Sequence, residues 1–215
     1  MRLNEIFPEG LIKAKVNLND VIFHQIGMEN IEEIVKLKKN CMFELGGTIW
    51  DKYIQVTPNE DPMILAAHFQ NLNPYLFEEA SKIIGEKTIQ DISYTYAEVN
   101  DPAVEHRIFS QLLIAVLFRG ILHISDVDFS HPLHEIPDQD RKYTFQSHKG
   151  LGLFGDLMSN CIAFCEKEGL NKICLTAASI NLVQFFEKYG FLVDDTPTGR
   201  FGMAHGGSIP MSKLL

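Results

Sequence analysis

Two glycines one residue apart stand in the run Ser147-His148-Lys149-Gly150-Leu151-Gly152-Leu153, directly ahead of an amphipathic stretch that stops at Gly169. Leu151, Phe154, Met158, Cys161 and Cys165 recur at helical spacing, so the stretch reads as a helix entered through a glycine turn and ended by a glycine. The first four amides of a helix have no partner inside it, and its dipole is positive at that end, so such a turn favours a bound anion. Glycine has no Cβ to hold a phosphate away from the backbone, which adds to the argument. The same spacing is common at plain loop-to-helix junctions, and the turn alone leaves both readings open.

Carboxylates are the second source of chemistry. Ile121 to Phe129, ILHISDVDF, reads as a strand, and alternation puts His123 and Ser125 on the face of Ile121 and Val127, with Asp126 and Asp128 on the other face beside Leu122 and Ile124. Two acids on one face suit holding a cationic amine or taking its proton, because an ammonium has no lone pair with which to attack. A solvated sheet face gives the same pattern. His131-Pro132-Leu133-His134-Glu135 carries two histidines, but its proline and polar surroundings indicate a loop, not a helix aiming both rings at one ion, so no metal is expected. Cys161 and Cys165 fill the apolar face of their helix and, with Cys41 and Cys174, read as reduced thiols. Glu32-Glu33 and Glu78-Glu79 read as solvated helix faces.

The elements that must position these residues follow a strand and helix pattern. Residues 1 to 19 read as an irregular lead-in, Val21 to Ile26 as a strand, and Asn30 to Lys39 as a capped helix with Ile31, Ile34, Val35 and Leu37 on one side. Residues 45 to 61 are broken by glycines and Pro58, after which helices are expected from Asp61-Pro62 through Phe69 and from Pro74 to Gly85. Ile89 to Val99 fits strand or loop. Gln111 to Phe118 and Ile121 to Phe129 form a hairpin around Arg119-Gly120, followed by a polar loop, 130 to 140, and a short strand, Lys142 to Gln146, that feeds the glycine turn. Beyond Gly169 come a strand at Lys172 to Thr176, a helix capped by Ser179 and ending at Tyr189, and strands at Phe191 to Val193 and Ile209 to Leu214. The sheet is therefore mixed.

A chain of 215 residues with 46% hydrophobic content can bury a sizeable core, and 28 acidic against 19 basic side chains give a net charge of -9. That balance argues against general nucleic-acid binding and favours amine partners. Arg2, Asn4, Glu5 and Pro8 rule against a signal peptide, and the longest apolar run, Leu112 to Phe118, falls far short of the roughly 20 residues that span a bilayer. A cytoplasmic protein without membrane contact is the expectation.

From Gln111 onward the chain resembles the GNAT superfamily of N-acetyltransferases. The superfamily's pyrophosphate loop, Q/R-x-x-G-x-G/A, is matched by Ser147 to Gly152 with serine in first place. Ala178-Ser179-Ile180-Asn181-Leu182-Val183-Gln184-Phe185-Phe186-Glu187-Lys188-Tyr189-Gly190-Phe191 is similar to its next helix, and Met211-Ser212-Lys213-Leu214-Leu215 to its closing strand. The resemblance implies an α/β fold over 1 to 215 as a single GNAT-like domain, with a mixed central sheet, flanking helices and an enlarged helical region over 45 to 110 that walls the acceptor groove. It implies acetyl-CoA or another acyl-CoA as co-substrate. The pyrophosphate would lie on Ser147, His148, Lys149, Gly150, Leu151, Gly152 and Leu153, with Ser179 and Phe186 also facing the coenzyme and the pantetheine arm paired along the strand before the loop. The acceptor would be an amine, small molecule or peptide, with no metal and no nucleic acid. Mg-ATP is not expected, since the loop lacks a Gly-Lys-Ser/Thr ending. Many members place a tyrosine acid where this chain has Phe186, which has no proton to give. Tyr189, one turn on, either takes that catalytic role or packs over Gly190 and Phe191. Loss of the acid also admits a second reading, a catalytically degenerate CoA-binding sensor or interaction module.

Overall fold

The computed structural model describes residues 1–53, 89–100, 108–118, 120–143 and 145–215, with the side chains of 43, 47 and 49–53 outside the description. The described residues form helices α1 (Glu9–Val16), α2 (Ile31–Leu37), α3 (Lys39–Tyr53), α4 (Phe154–Glu168), α5 (Ile180–Glu187) and α6 (Pro197–His205) and strands β1 (Val21–Gly27), β2 (Ile89–Val99), β3 (Ile108–Leu117), β4 (Ile121–Asp128), β5 (Ser130–Glu135), β6 (His148–Gly150), β7 (Lys172–Ala177), β8 (Leu192–Val193) and β9 (Ile209–Leu214). Seven strands form one sheet in the order β1-β2-β3-β4-β7-β9-β8, while β5 and β6 make a separate ribbon. The β4–β7 pair is parallel and every other neighbouring pair in the sheet is antiparallel, so the sheet is mixed as expected. No helix among the described residues is long and apolar enough to cross a membrane.

Both faces of the sheet are covered, which is why β3 reads as an almost unbroken apolar run. One core layer joins Leu122 and Ile124 of β4 to Leu157, Cys161 and Cys165 of α4. The other joins Leu113, Ile121 and Cys174 to Ile34 and Leu45 of α2 and α3. Helix α4 ends at Gly169, whose φ of +69° is a left-handed conformation costly for any residue with a Cβ. The Leu170 amide then donates to Cys165 O at 2.9 Å and closes the helix.

Several expectations need correction. The lead-in is structured: α1 follows a short 3-10 turn, and Ile6 and Ile12 are fully buried. Helix α2 stops at Leu37 and buries only Ile34, leaving Val35 and Leu37 exposed. Helix α3 runs through Gly46 and Gly47, where a break was expected, anchored by buried Leu45. Ile89–Val99 is a strand throughout, and α6 was not anticipated although Pro197 at its start and the Thr196 side chain, accepting from the Gly199 amide, mark it. Ser179 sits at the N-cap of α5, but its side chain makes no capping hydrogen bond. The helices expected over 61–69 and 74–85, together with Arg119 and Glu78-Glu79, lie outside the described residues.

The largest departure surrounds the glycine turn. No strand forms among the described residues of Lys142 to Gln146, and the supposed polar loop contains β5, with Pro132 tolerated because the ribbon has only two strands. The chain leaves the sheet after Asp128, and the base of the ribbon is closed where the Leu151 amide donates to Phe129 O at 2.7 Å. The glycine turn therefore follows β6 of the ribbon, whose strand closes against β5.

Candidate functional site

The parallel pair β4–β7 is hydrogen-bonded only from Ile121–Lys172 to Ile124–Leu175. Beyond those residues β4 stays with β3 as far as Asp128, and β7 stays with β9 as far as Ala177, so the two strands part. The gap is a cleft of about 380 Å³. Its floor and sides are Ile124 to Asp128 of β4, and Leu175, Thr176 and Ala178 at the end of β7. Leu182 and Phe186 of α5 close one side, Cys41 and Glu44 of α3 another, and Phe145 to His148 cross its mouth from the ribbon.

A β-bulge shapes the acidic wall. Leu113 pairs with Asp126 and Ile114 with Ile124, so Ser125 is an extra residue in β4. One inserted residue reverses the alternation that follows it. Val127 packs with the layer that holds Leu122 and Ile124, whereas Asp126 faces Lys38 and Cys41 on the α2–α3 side. Asp126 and Asp128 thus stay together as expected, but on the face of His123, not that of Leu122 and Ile124. Ser125 Oγ lies 2.9 Å from His123 Nδ1.

Electrostatics in this wall follow from burial and one lysine. Lys38 Nζ lies 2.6 Å from Asp126 Oδ2 and donates to Gln111 Oε1 at 2.6 Å. Burial pushes the Asp128 carboxyl up to about 6, with Asp126 adding to the rise and the Ser130 hydroxyl, donating at 3.2 Å, and Lys38 opposing it. The Asp128 side chain is itself exposed where it lines the cleft, so solvent screening tempers this rise. Burial, then Asp126, also raises Glu44 and takes the Cys41 thiol to about 11.

The residues singled out in the sequence divide into three places. Ser147, His148 and Phe186 line the cleft, with Ser147 Oγ 2.9 Å from His148 Nδ1 and Phe186 almost wholly buried. Lys149 and Gly150 belong to β6; Leu151 and Leu153 point into the core, and the Leu151 amide is committed to Phe129 O and so withdrawn from any phosphate. Gly152 has a φ of +68°, and a Cβ built on it meets no atom within 4 Å, so the backbone is open there. Helix α4 has no side-chain cap, and Asp156 is the acidic residue of its first turn. Tyr189 does not line the cleft: its ring packs edge-on against Phe154 at 4.8 Å and beside Phe185 at 5.3 Å, next to Gly155 at the start of α4. Ser179 Oγ is buried without a hydrogen-bond partner at the head of α5. The rings of His131 and His134 stack at 3.9 Å, and no group of three His, Cys, Asp or Glu among the described residues is placed to hold a metal.

Lys38, Gln111 and Glu44 were not singled out in the sequence, and Cys41 was read there only as a reduced thiol. Gln111 left a trace, being the polar residue in an apolar strand; Lys38 looked like any helix-end lysine, and only the α2–α3 junction turns it inward.

No protein-family model matches the chain, and no curated protein sequence matches it significantly. Among solved structures it is similar to the IAA acetyltransferase of Bacillus cereus, at 9% identity over 91% of this chain and 100% of that one with a TM-score of 0.41. It is also similar to the PaiA N-acetyltransferase of Thermoplasma acidophilum in complex with coenzyme A, at 13% identity over 92% and 100% with a TM-score of 0.37. A Bacillus anthracis chain solved with acetyl coenzyme A is 14% identical over 58% of this chain and 62% of its own, with a TM-score of 0.36. Likeness this distant fixes no activity.

Proposed function

We propose that the chain is an acyl-CoA dependent N-acyltransferase of the GNAT type, transferring an acyl group directly to an amine. The observation that carries the proposal is the parting of β4 and β7 into a cleft whose walls bring together an acidic pair, Phe186 and the ribbon end of the glycine loop. Acyl-CoA supplies the activated thioester. Anion binding falls to the amides from Gly152 into the first turn of α4, a narrower cradle than residues 147 to 153, with Tyr189 standing beside it; Asp156 works against a phosphate there. Past Ile124, β4 has no ladder partner on the β7 side among the described residues. In this reading its edge takes over the pantetheine pairing that the resemblance implied for the strand before the loop, and its amides polarise the thioester carbonyl.

Asp128 is the proton acceptor in this reading, because a carboxyl near 6 is ionised at neutral pH yet more basic than an ordinary aspartate. With phenylalanine at 186, the departing thiolate takes its proton from the acceptor nitrogen or from water. Thiol release from acetyl-CoA across a panel of monoamines, diamines and peptides tests the proposal, which predicts release above hydrolysis with at least one amine. Saturable acetyl-CoA binding with hydrolysis-level release throughout would replace it with the sensor reading that Phe186 motivates.

A further inference from the structure

Lys38 reaches from the α2–α3 junction to β4 and is only 12% exposed in its side chain. Its two charge-assisted contacts, to Asp126 Oδ2 and Gln111 Oε1, are both 2.6 Å, and its ammonium sits 5.0 Å from the centroid of the Tyr94 ring. The Tyr94 hydroxyl donates to the same Gln111 oxygen at 3.0 Å. Gln111 stands opposite Asp128 in the β3–β4 register. Lys38 thus holds both polar residues that flank Asp128, one along the strand and one across it. Asp128 accepts a single side-chain hydrogen bond among the described residues, from Ser130.

We propose that Lys38 is a positioning residue for proton removal: by tying down Asp126 and Gln111 it leaves Asp128 as the carboxylate of the β4 pair that is free to deprotonate the acceptor ammonium. The proposal rests on the acyl-transfer reading. In that step one N–H proton of the ammonium moves to an Asp128 oxygen, and the freed lone pair forms the N–C bond to the acyl carbon. The C–S bond breaks, and the sulfur leaves with the bonding pair and takes the second proton of the nitrogen. Asp128 returns its proton to water between turnovers.

The charges around Asp128 make the role measurable. Asp126 of β4 and Lys38 of the helix junction act on it, Glu44 and Cys41 of α3 and His148 of β6 line the same cleft, and Gln111 of β3 and Ser130 of β5 are neutral. Lys38 is the lysine that lowers the Asp128 titration, and Asp126 raises it. Removing the cation therefore moves the Asp128 titration to higher pH. A lysine that merely braced the fold would change melting and leave that titration in place.

The test is carbon-13 NMR titration of the Asp128 carboxyl in the full-length chain, assigned by loss of its signal in Asp128→Asn. The expected midpoint is near 6 in the parent, higher in Lys38→Met and restored in Lys38→Arg, with the acid limb of kcat/KM moving in step. Should Lys38→Met not fold, Asp126→Asn reads the same coupling from the other side and is expected to lower the midpoint. A midpoint indifferent to Lys38→Met in folded protein, or indifferent to Asp126→Asn, overturns the proposal, as does an Asp128 midpoint near 4 in the parent. The titration needs no turnover, so failure of acyl transfer, seen as no thiol release from any amine, is distinguishable from failure of this inference.

Discussion

From Ile121 to Ile124, β4 is hydrogen-bonded to neighbours on both sides and buried on both faces, whereas from Ser125 to Asp128 it keeps β3, loses β7 and becomes progressively exposed. The first half is held by apolar contacts and a complete ladder. The second carries both aspartates, the bulge and an edge with no strand beside it among the described residues. A single inserted residue, Ser125, marks the boundary between the two halves and turns the aspartates toward α2 and α3. On the proposed reading, structure and chemistry are separated along eight residues of one strand, and substitutions on either side of Ser125 are expected to fail in different ways.

The sharpest separation is expected from Asp128→Asn. If the open half does the chemistry, acceptor-dependent turnover at neutral pH falls about 10²- to 10⁴-fold, the usual scale for losing a general base, with the fold retained. Steady-state kinetics beside circular dichroism checks this; loss of fold instead of rate would erase the contrast between the halves.

Leu122→Ala in the closed half is the converse. Leu122 is fully buried between β7 and α4, so the truncation costs about 2–5 kcal/mol in chemical denaturation, the range for a buried leucine cavity. Turnover per folded molecule is expected to stay within a few-fold.

The smallest effect concerns pH and the open half alone. Burial raises the folded Asp128 carboxyl from about 3.8 to about 6, so between those values the folded state binds more protons than the unfolded one. Its contribution to stability is greatest below pH 4 and declines as pH rises through 6. Melting temperatures of Asp128→Asn are therefore expected to exceed those of the parent at pH 8 by a small margin that changes across this window, whereas Leu122→Ala keeps a constant deficit.

Legibility in the sequence followed the same division. Period and glycine placement located α4, the β3–β4 hairpin, β7 and β9, because apolar faces and left-handed stops are local properties. The cleft was partly legible: Ser147, His148, Phe186 and the aspartate pair were singled out and all stand in it. What could not be read was set by long-range pairing. The bulge at Ser125 depends on register with β3, the ribbon of β5 and β6 on two short polar strands finding each other, and the Lys38 contact on residues 88 apart in sequence. Tyr189 illustrates the same limit, since helical spacing placed it one turn from Phe186 but only packing put it against Phe154.

The two glycines that bracket α4 provide the most direct test of coenzyme binding. Gly152 and Gly169 have φ values of +68° and +69°, and a Cβ at either meets no atom within 4 Å. Alanine at each therefore carries the same left-handed strain, about 1–2 kcal/mol, and no added clash. The measurement is calorimetric titration of acetyl-CoA into the parent, Gly152→Ala and Gly169→Ala. Saturable binding in the parent that survives in Gly169→Ala and is lost or weakened at least tenfold in Gly152→Ala is the predicted result. No binding to the parent at millimolar acetyl-CoA, or equal binding by all three proteins, would contradict it.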